Sequence, residues 1–177
     1  MDAPVVPPGG VADPTRLRKA FGAFATGVTV VTVGGDKPHG MTANSFTTVS
    51  LDPPLVLVCV GRTAVMHESL TATGTFAVSV LATQHETLAR WFADRRRPLG
   101  GEQFAAIDCE PGPRTGAPLI SGALAHFECA VAAVHDGGDH SIFVGELLSA
   151  RRFTDSGALL FVDGAFRQVE SGSDVRA

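Results

Sequence analysis

The composition is that of one small domain. The chain has 177 residues, a net charge of −4, and 18% charged against 45% hydrophobic residues. Its longest basic run is the three arginines at positions 95 to 97, too short for a nucleic-acid-binding face, so we expect no nucleic-acid partner. No secretory signal and no stretch of about 18 apolar residues occurs, which predicts a soluble cytoplasmic protein without a membrane partner.

The first predicted element is a helix that follows a flexible tail at residues 1–12. Asp13 caps this helix, with Pro14 in the first turn. The helix extends to Gly27 and carries apolar side chains on one face, at Leu17, Ala20, Phe21 and Phe24. The low charge content of the whole chain indicates that part of its apolar surface meets a second subunit, so we predict a homodimer.

Strands follow this helix. β-Branched residues at positions 28–33 predict a strand, and Gly34-Gly35-Asp36 supplies the turn to a second strand over His39–Ala43. The apolar run at residues 55–60 shows no alternation, which is typical of a central strand buried on both faces.

Two short helices and a further strand are predicted next. Thr63 caps a helix over residues 64–70, and a strand covers residues 76–81. Thr83 and Glu86 form a capping box that opens a second helix. An apolar stripe on that helix, interpreted as core, consists of Leu88, Trp91 and Phe92.

The second half of the chain combines a long irregular segment with a hairpin. Residues 95–118 are rich in Gly and Pro and are anchored by Phe104 and Ile107, which indicates a functional excursion or an interface arm. Strands over residues 123–134 and 142–148 flank the loop HDGGDH, a hairpin with a histidine at each shoulder. A last strand at residues 159–162 precedes a turn at Asp163-Gly164.

Many short strands and few helices predict a mainly β fold, an all-β barrel with helical additions. No Gly-x-Gly-x-x-Gly follows a strand, so a nicotinamide cofactor must bind by another route. The cysteines Cys59, Cys109 and Cys129 lack the spacing of a zinc site or a disulfide framework, and we interpret them as reduced thiols. The Asp-rich hairpin loop is typical of a turn, and we predict no metal site.

The segment GMTANSF, at residues 40–46, suggests a ligand site. Its small residues let a ligand approach the backbone, and the strand after it ends in Gly61-Arg62-Thr63, a candidate anion site. This pattern favours a polar groove for a flat heteroaromatic ligand that carries a phosphate, although a turn-rich sheet edge is the alternative.

GMTANSF followed by SLDPPLVLVCV resembles the flavin reductase family, the NAD(P)H:flavin oxidoreductases with the FMN-binding split-barrel fold. The segments FATGVTVVT, TGTFAVSVL, GAPLI and GDH are also similar, and the match covers residues 15–168. The resemblance implies a Greek-key split β-barrel with a few short helices over residues 13–170, followed by a C-terminal tail at 171–177.

The resemblance also implies the roles of particular residues. The isoalloxazine is expected to lie against Met41, Thr42, Ala43, Asn44, Ser45 and Phe46. The ribityl phosphate is expected at Cys59, Val60, Gly61, Arg62 and Thr63. His140, in the Gly-Asp-His motif, is the catalytic candidate on the nicotinamide side, and Phe166 is expected to close the site.

The implied activity is reduction of free FMN or FAD by NADH or NADPH, with hydride transfer to flavin N5 and release of the reduced flavin to a partner monooxygenase. Such a reaction needs orientation more than acid–base help, which agrees with the lack of a strong catalytic constellation. Two alternatives stay open: a pyridoxamine-phosphate oxidase-like enzyme of the same fold, and a module that binds flavin without turning it over.

Overall fold

The computed structural model describes residues 13–153 and 156–169, so the tails predicted at 1–12 and 171–177 lie outside the described residues. In chain order the helices and strands are α1 (Pro14–Gly22), β1 (Thr26–Gly27), β2 (Thr29–Val33), β3 (His39–Ala43), β4 (Thr47–Leu51), β5 (Pro54–Gly61), α2 (Val65–Thr73), β6 (Thr75–Val80), α3 (Glu86–Ala93), β7 (Cys109–Pro111), β8 (Pro118–Ile120), β9 (Ala125–Gly137), β10 (His140–Arg152), β11 (Ala158–Val162) and β12 (Ala165–Val169). Short 3-10 helices cover Thr83–His85 and Gly100–Phe104.

The main sheet curls into a barrel, which can be deduced from its topology. Its seven strands pair antiparallel in the order β3-β2-β6-β9-β10-β5-β4, so β3 and β4 lie at opposite edges. In a flat sheet these edges would be about 29 Å apart. The chain nevertheless crosses from β3 to β4 through residues 44–46 alone, a connection that reaches at most about 15 Å. The sheet must therefore bend round until its edges nearly meet, as the predicted split barrel requires.

Two apolar cores lie on opposite faces of β2. Val31 and Val33 pack into a cluster with Phe76 and Phe143, whereas Val30 faces a second cluster. The second cluster joins the barrel wall to α3 and the small sheet β1-β11-β12, through Leu81, Phe92, Phe104 and Leu159. Each large side chain buried in this way contributes about 1.5–3 kcal/mol of transfer free energy.

Strand β5 differs from the prediction that both its faces are buried. Val56, Val58 and Val60 are at most 1% exposed, but Leu55 and Leu57 on the alternate face are only partly covered. An apolar run without alternation cannot distinguish a strand buried by its own chain from one whose second face remains to be covered.

The ends of three predicted helices also differ from expectation. Helix α1 ends at Gly22 and not at Gly27, and β1 begins four residues later. Helix α2 starts after Ala64, without a side-chain cap, so the capping role predicted for Thr63 is wrong. Before α3, the Ala82 amide donates to Nδ1 of His85 at 3.2 Å, and a 3-10 turn replaces the predicted capping box.

The irregular excursion over residues 95–118 is held by apolar and by polar contacts. Phe104 and Ile107 pack into the second core cluster, which confirms the predicted anchors. A further anchor is Glu128 on β9, a buried residue that is 2% exposed. Its Oε2 accepts hydrogen bonds of 2.9 Å from the backbone amides of Arg114 and Thr115 and from the Thr115 hydroxyl. No local sequence pattern points to this carboxylate.

Candidate functional site

Residues 44–46 bridge the split between the two edges of the barrel. Ser45 fixes this bridge, because its hydroxyl donates to the Cys59 carbonyl and accepts from the Cys59 amide, both at 3.0 Å. Phe46 packs beside Phe127 with ring centroids 5.3 Å apart. Two predicted flavin-lining side chains therefore have structural partners: Ser45 holds the segment against β5, and Phe46 packs on β9.

The polar side chains next to Ser45 have different environments. The Thr42 hydroxyl donates to the Ala89 carbonyl on α3 at 2.6 Å, so it can only accept a hydrogen bond from a ligand. Asn44 is exposed, and its amide has no hydrogen-bond partner among the residues that the structure describes. Ala43 is buried and offers backbone only. Of the polar side chains predicted for this segment, Asn44 is the one with free donors.

A cavity of about 280 Å³ lies beside this segment. Its walls come from β3, the first turn of α2, the end of α3 and the start of the excursion, and its lining includes Met41, Thr42 and Thr63 from the predicted site. Val65 and Leu99 add exposed apolar surface, while Arg95 and Arg97 bring two guanidinium groups. No Asp or Glu occurs among the described residues that line it, so the cavity favours an anionic ligand with an apolar part.

His140 lies beside the C-terminal end of β5. Strand β10 starts at His140, which pairs with Gly61 of β5. The imidazole lies over Gly61, where a β-carbon would be 3.6 Å from its Nε2. Nδ1 is 2.7 Å from the Asp139 carboxylate, and this contact holds the pKa of that carboxyl below its usual value. A carboxylate that accepts from Nδ1–H leaves Nε2 as the ring nitrogen available to a ligand.

Arg62 contacts the β9–β10 turn and does not line the cavity. Its amide donates to the Asp139 carbonyl and its Nε to the Gly138 carbonyl, each at 3.0 Å. Its Nη2 forms an ion pair with Asp136, also at 3.0 Å. The structure thus separates the residues predicted for the phosphate: Thr63 lines the cavity, Arg62 holds the turn that carries His140, and Val60 is buried in the core.

Phe166 lies in the small sheet. Its ring contacts Phe161 at a centroid separation of 5.4 Å, and the Arg90 guanidinium carbon is 4.9 Å from the ring centre. It does not line the cavity described above. Its role in closing the site remains a prediction.

A buried polar network next to the cavity was not anticipated from the sequence. The Gln103 side chain, 1% exposed, donates to the Pro38 and Gly100 carbonyls and accepts from the Gly40 amide. Arg97 donates to the Gly40 carbonyl and to Nε2 of His39. Because an arginine can only donate, this His39 nitrogen must be unprotonated. Burial, together with the nearby Arg97 charge, lowers the pKa of His39 to about 4.

Metal ligands, cysteines and membrane helices are three further features of the described ranges. No group of His, Cys, Asp or Glu there could hold a metal ion. The three cysteines are free, and burial raises the pKa of Cys129 to about 12. No helix in the described part of the chain is long and apolar enough to cross a membrane.

The comparison with protein families identifies the class. The sequence model of one protein family, described as flavin reductase like domain, matches residues 21–170 of this chain. The chain therefore belongs to the flavin reductase family, which confirms the resemblance seen in its motifs. A curated relative, the NADH-dependent FAD reductase of Streptomyces globisporus, is 54% identical over 173 residues, which make up 96% of this chain and 95% of that protein.

Solved structures of flavin reductases are similar to this chain in both sequence and fold. BorF, described as the flavin reductase component of a bacterial two-component tryptophan halogenase, is 56% identical with a TM-score of 0.87, over 89% of this chain and 99% of that one. The NADH:FAD oxidoreductase SgcE6 of Streptomyces globisporus C-1027, solved with NAD and FAD fragments, is 53% identical with a TM-score of 0.87, over 97% of this chain and all of that one. These similarities confirm the predicted mainly β split-barrel fold.

Proposed function

We propose that the protein is a flavin reductase that uses NADH to reduce free FAD or FMN and releases the reduced flavin to a separate oxygenase component. The observation that carries this proposal is the end-to-end similarity to a named NADH-dependent FAD reductase, at 54% identity over 96% of the chain. FAD is the flavin we expect it to use best.

The residues at the split of the barrel fit a flavin. Met41, Val65 and Leu99 give the cavity apolar surface, and Arg95 and Thr63 provide groups suited to a phosphate. When bound, the flavin supplies the redox chemistry by accepting two electrons from the nicotinamide. The chain has to bind and orient the two ligands and keep water out.

His140 is the proposed catalytic residue. Asp139 fixes its Nδ1, and the ring lies over the Gly61 backbone, where a β-carbon would be in van der Waals contact with Nε2 at 3.6 Å. Nε2 is therefore presented in a defined orientation to a polar group of a ligand, such as a nicotinamide carboxamide. The proposed flavin-side residues are Met41, Thr42, Ala43, Asn44, Ser45 and Phe46, with Cys59, Val60, Gly61, Arg62 and Thr63 on the phosphate side and Phe166 as a cover.

The protein is proposed to act as a homodimer, with residues 13–170 as its flavin reductase domain. Large apolar side chains exposed just after α1 and on β4, among them Phe24 at 77% and Leu51 at 95%, support this. A cytoplasmic location is proposed because the free cysteines suit a reducing compartment. The partner is proposed to be a flavin-dependent monooxygenase, and the description of BorF as one component of a two-component system supports this kind of partner.

Steady-state oxidation of NADH by the purified protein tests the proposal. We expect the rate to rise and saturate with added FAD, FMN or riboflavin, and to be much lower with NADPH. The second candidate, a module that holds flavin without turnover, predicts a tight stoichiometric complex and no flavin-dependent NADH oxidation. That result would contradict the reductase proposal. Oxidation of pyridoxamine phosphate is expected to be absent.

A further inference from the structure

The three consecutive arginines at the start of the excursion have different environments. Arg96 forms a bidentate ion pair with Asp94, with Nε and Nη2 at 3.1 and 3.0 Å from its carboxylate oxygens. Arg97 is partly buried, and it donates to the Asp94 and Gly40 carbonyls and to His39. Arg95 is exposed, and it has no hydrogen-bond or ion-pair partner within residues 13–153 and 156–169.

Arg95 lines the same cavity as Met41, Thr42 and Thr63. The Arg96 side chain, by contrast, does not line that cavity, and its charge is balanced by Asp94. The cavity contains no described carboxylate that would neutralise Arg95. A protein with a net charge of −4 thus presents an uncompensated guanidinium beside its flavin-binding segment.

The cavity also continues outward. It shares His39, Val65 and Leu99 with a second groove of about 770 Å³. The lining of this groove includes Lys37 but also the carboxylates of Asp36 and Glu68, so the positive charge is concentrated in the inner cavity, at Arg95. Together the cavity and the groove form a trough that runs between the β2–β3 turn and α2. Such a trough suits a dinucleotide, whose phosphates lie between two ring systems, better than a compact single ring.

We infer that Arg95 binds a phosphate of a dinucleotide in this trough. The inference rests on the proposed function, and it assigns a specificity role to a residue outside the motifs that carry the family resemblance. The shared chemistry is a phosphate ester with its negative charge. It can come from the flavin, as FMN or FAD, or from NADH. A guanidinium recognises either through charge-assisted hydrogen bonds, whereas riboflavin offers it no anion.

The test compares Arg95→Ala with Arg96→Ala, two variants that each remove one positive charge from adjacent exposed positions. Dissociation constants for riboflavin, FMN and FAD are measured by fluorescence titration, and KM for NADH in the steady state. We expect Arg95→Ala to weaken at least one phosphate-bearing ligand about tenfold, equivalent to about 1.4 kcal/mol. Arg96→Ala is expected to change the same constants less than about twofold, and riboflavin affinity to stay the same in both variants. Arg95→Lys should recover part of the loss.

The ligands identify the source of the phosphate. If Arg95→Ala weakens the binding of FMN and FAD without changing KM for NADH, the flavin phosphate binds at Arg95. If it raises KM for NADH without changing FMN and FAD affinity, the NADH phosphate binds there. Equal behaviour of Arg95→Ala and Arg96→Ala towards every phosphate-bearing ligand would overturn the inference. The flavin titrations need no turnover, so failure of NADH oxidation in the unmodified protein would contradict the proposed function and leave this comparison valid.

Discussion

Arg62 and Asp136 form an ion pair of 3.0 Å that ties the end of β5 to the hairpin carrying His140. Both side chains are well exposed, 45% and 81%, so the pair itself adds little to stability. Its effect is positional, because the same arginine also bonds the carbonyls of Gly138 and Asp139. The residue that sequence suggested as a phosphate ligand thus also holds the turn next to the proposed catalytic histidine.

The two roles of Arg62 can be separated with a pair of variants. We expect Arg62→Ala to weaken FMN binding more than riboflavin binding if its charge reaches the phosphate. Asp136→Ala leaves that charge in place and removes two bonds of the Asp136 carboxylate, those accepted from Arg62 and from the Gly138 amide. It should therefore loosen the turn and lower the rate of flavin reduction several-fold without changing the ratio of FMN to riboflavin affinity. Equal losses of FMN and riboflavin in Arg62→Ala would show that the phosphate binds elsewhere.

His140→Ala is expected to affect reduction and to leave flavin affinity unchanged. Loss of an orienting hydrogen bond should lower the rate of flavin reduction, or raise the apparent NADH constant, by roughly ten- to a hundredfold. Stopped-flow reduction of bound flavin measures this directly. His135→Ala, at the other shoulder of the same hairpin and exposed, is the matched control. Identical rates of flavin reduction in the two variants would show that His140 is a surface residue without a catalytic role.

Local sequence patterns predicted the elements that depend on neighbouring residues. The β2–β3 hairpin was predicted with the observed second strand, His39–Ala43, because β-branched residues and a Gly-Gly turn determine it locally. The end of α1 was misplaced, because an apolar periodicity continues past the point where the chain must enter β1.

The site was harder to predict, because its bonds link residues far apart in sequence. Motif resemblance located the segment 40–46, but the bond from Thr42 to Ala89 spans 47 residues and that from Arg62 to Asp136 spans 74. No local pattern signals such pairs. The buried Gln103 could have been suspected only from its position next to the anchor Phe104.

Acidification is expected to destabilise the protein through His39. The folded-state pKa of His39 is lowered from 6.5 to about 4, so between these values the unfolded chain binds more protons than the folded one. Above pH 6.5 His39 is neutral in both the folded and the unfolded chain, so it does not reduce the free energy of unfolding. As the pH falls from 6.5 to 4, protonation of His39 in the unfolded chain lowers that free energy by at most about 3 kcal/mol. Burial lowers the pKa of His85 and His126 as well, which adds in the same direction.

Urea unfolding at several pH values measures this effect. His39→Gln, which removes the titrating group, should show a shallower fall in the free energy of unfolding between pH 6.5 and 4 than the unmodified protein does. Since His85 and His126 remain, some dependence on pH should persist. Parallel curves for the two proteins would mean that protonation of His39 does not oppose folding.

Glu128 is expected to hold the excursion against the barrel. Glu128→Gln removes the charge that three donors of Arg114 and Thr115 share, and should cost about 1–3 kcal/mol. Amide hydrogen exchange at Arg114 and Thr115 should become faster, while exchange in β6 changes only with global stability. Glu146→Gln, the same substitution at an exposed position of β10, is the control, and an equal effect of both would remove the special role of Glu128.

The dimer is expected to bury the apolar surface that the single chain leaves exposed. At the C-terminal end of α1 and in the bend that follows it, this surface consists of Phe21 and Phe24, 70% and 77% exposed, and on β4 of Val49 and Leu51, 50% and 95% exposed. Burying one such large side chain is worth about 1.5–3 kcal/mol, so serine at both positions of either pair should raise the dimer dissociation constant at least about tenfold.

Light scattering across a dilution series gives the mass and the dissociation constant together. The unmodified protein should have twice the chain mass of 18.4 kDa, and both double variants should dissociate at higher concentration. Leu148→Ser, which alters an apolar side chain 38% exposed on β10, outside both surfaces, should leave the dimer intact. A mass of one chain for the unmodified protein at micromolar concentration would contradict the homodimer. Loss of dimer in Leu148→Ser alone would place the contact on another face, because the surfaces of α1 and β4 would then stay exposed in the assembly.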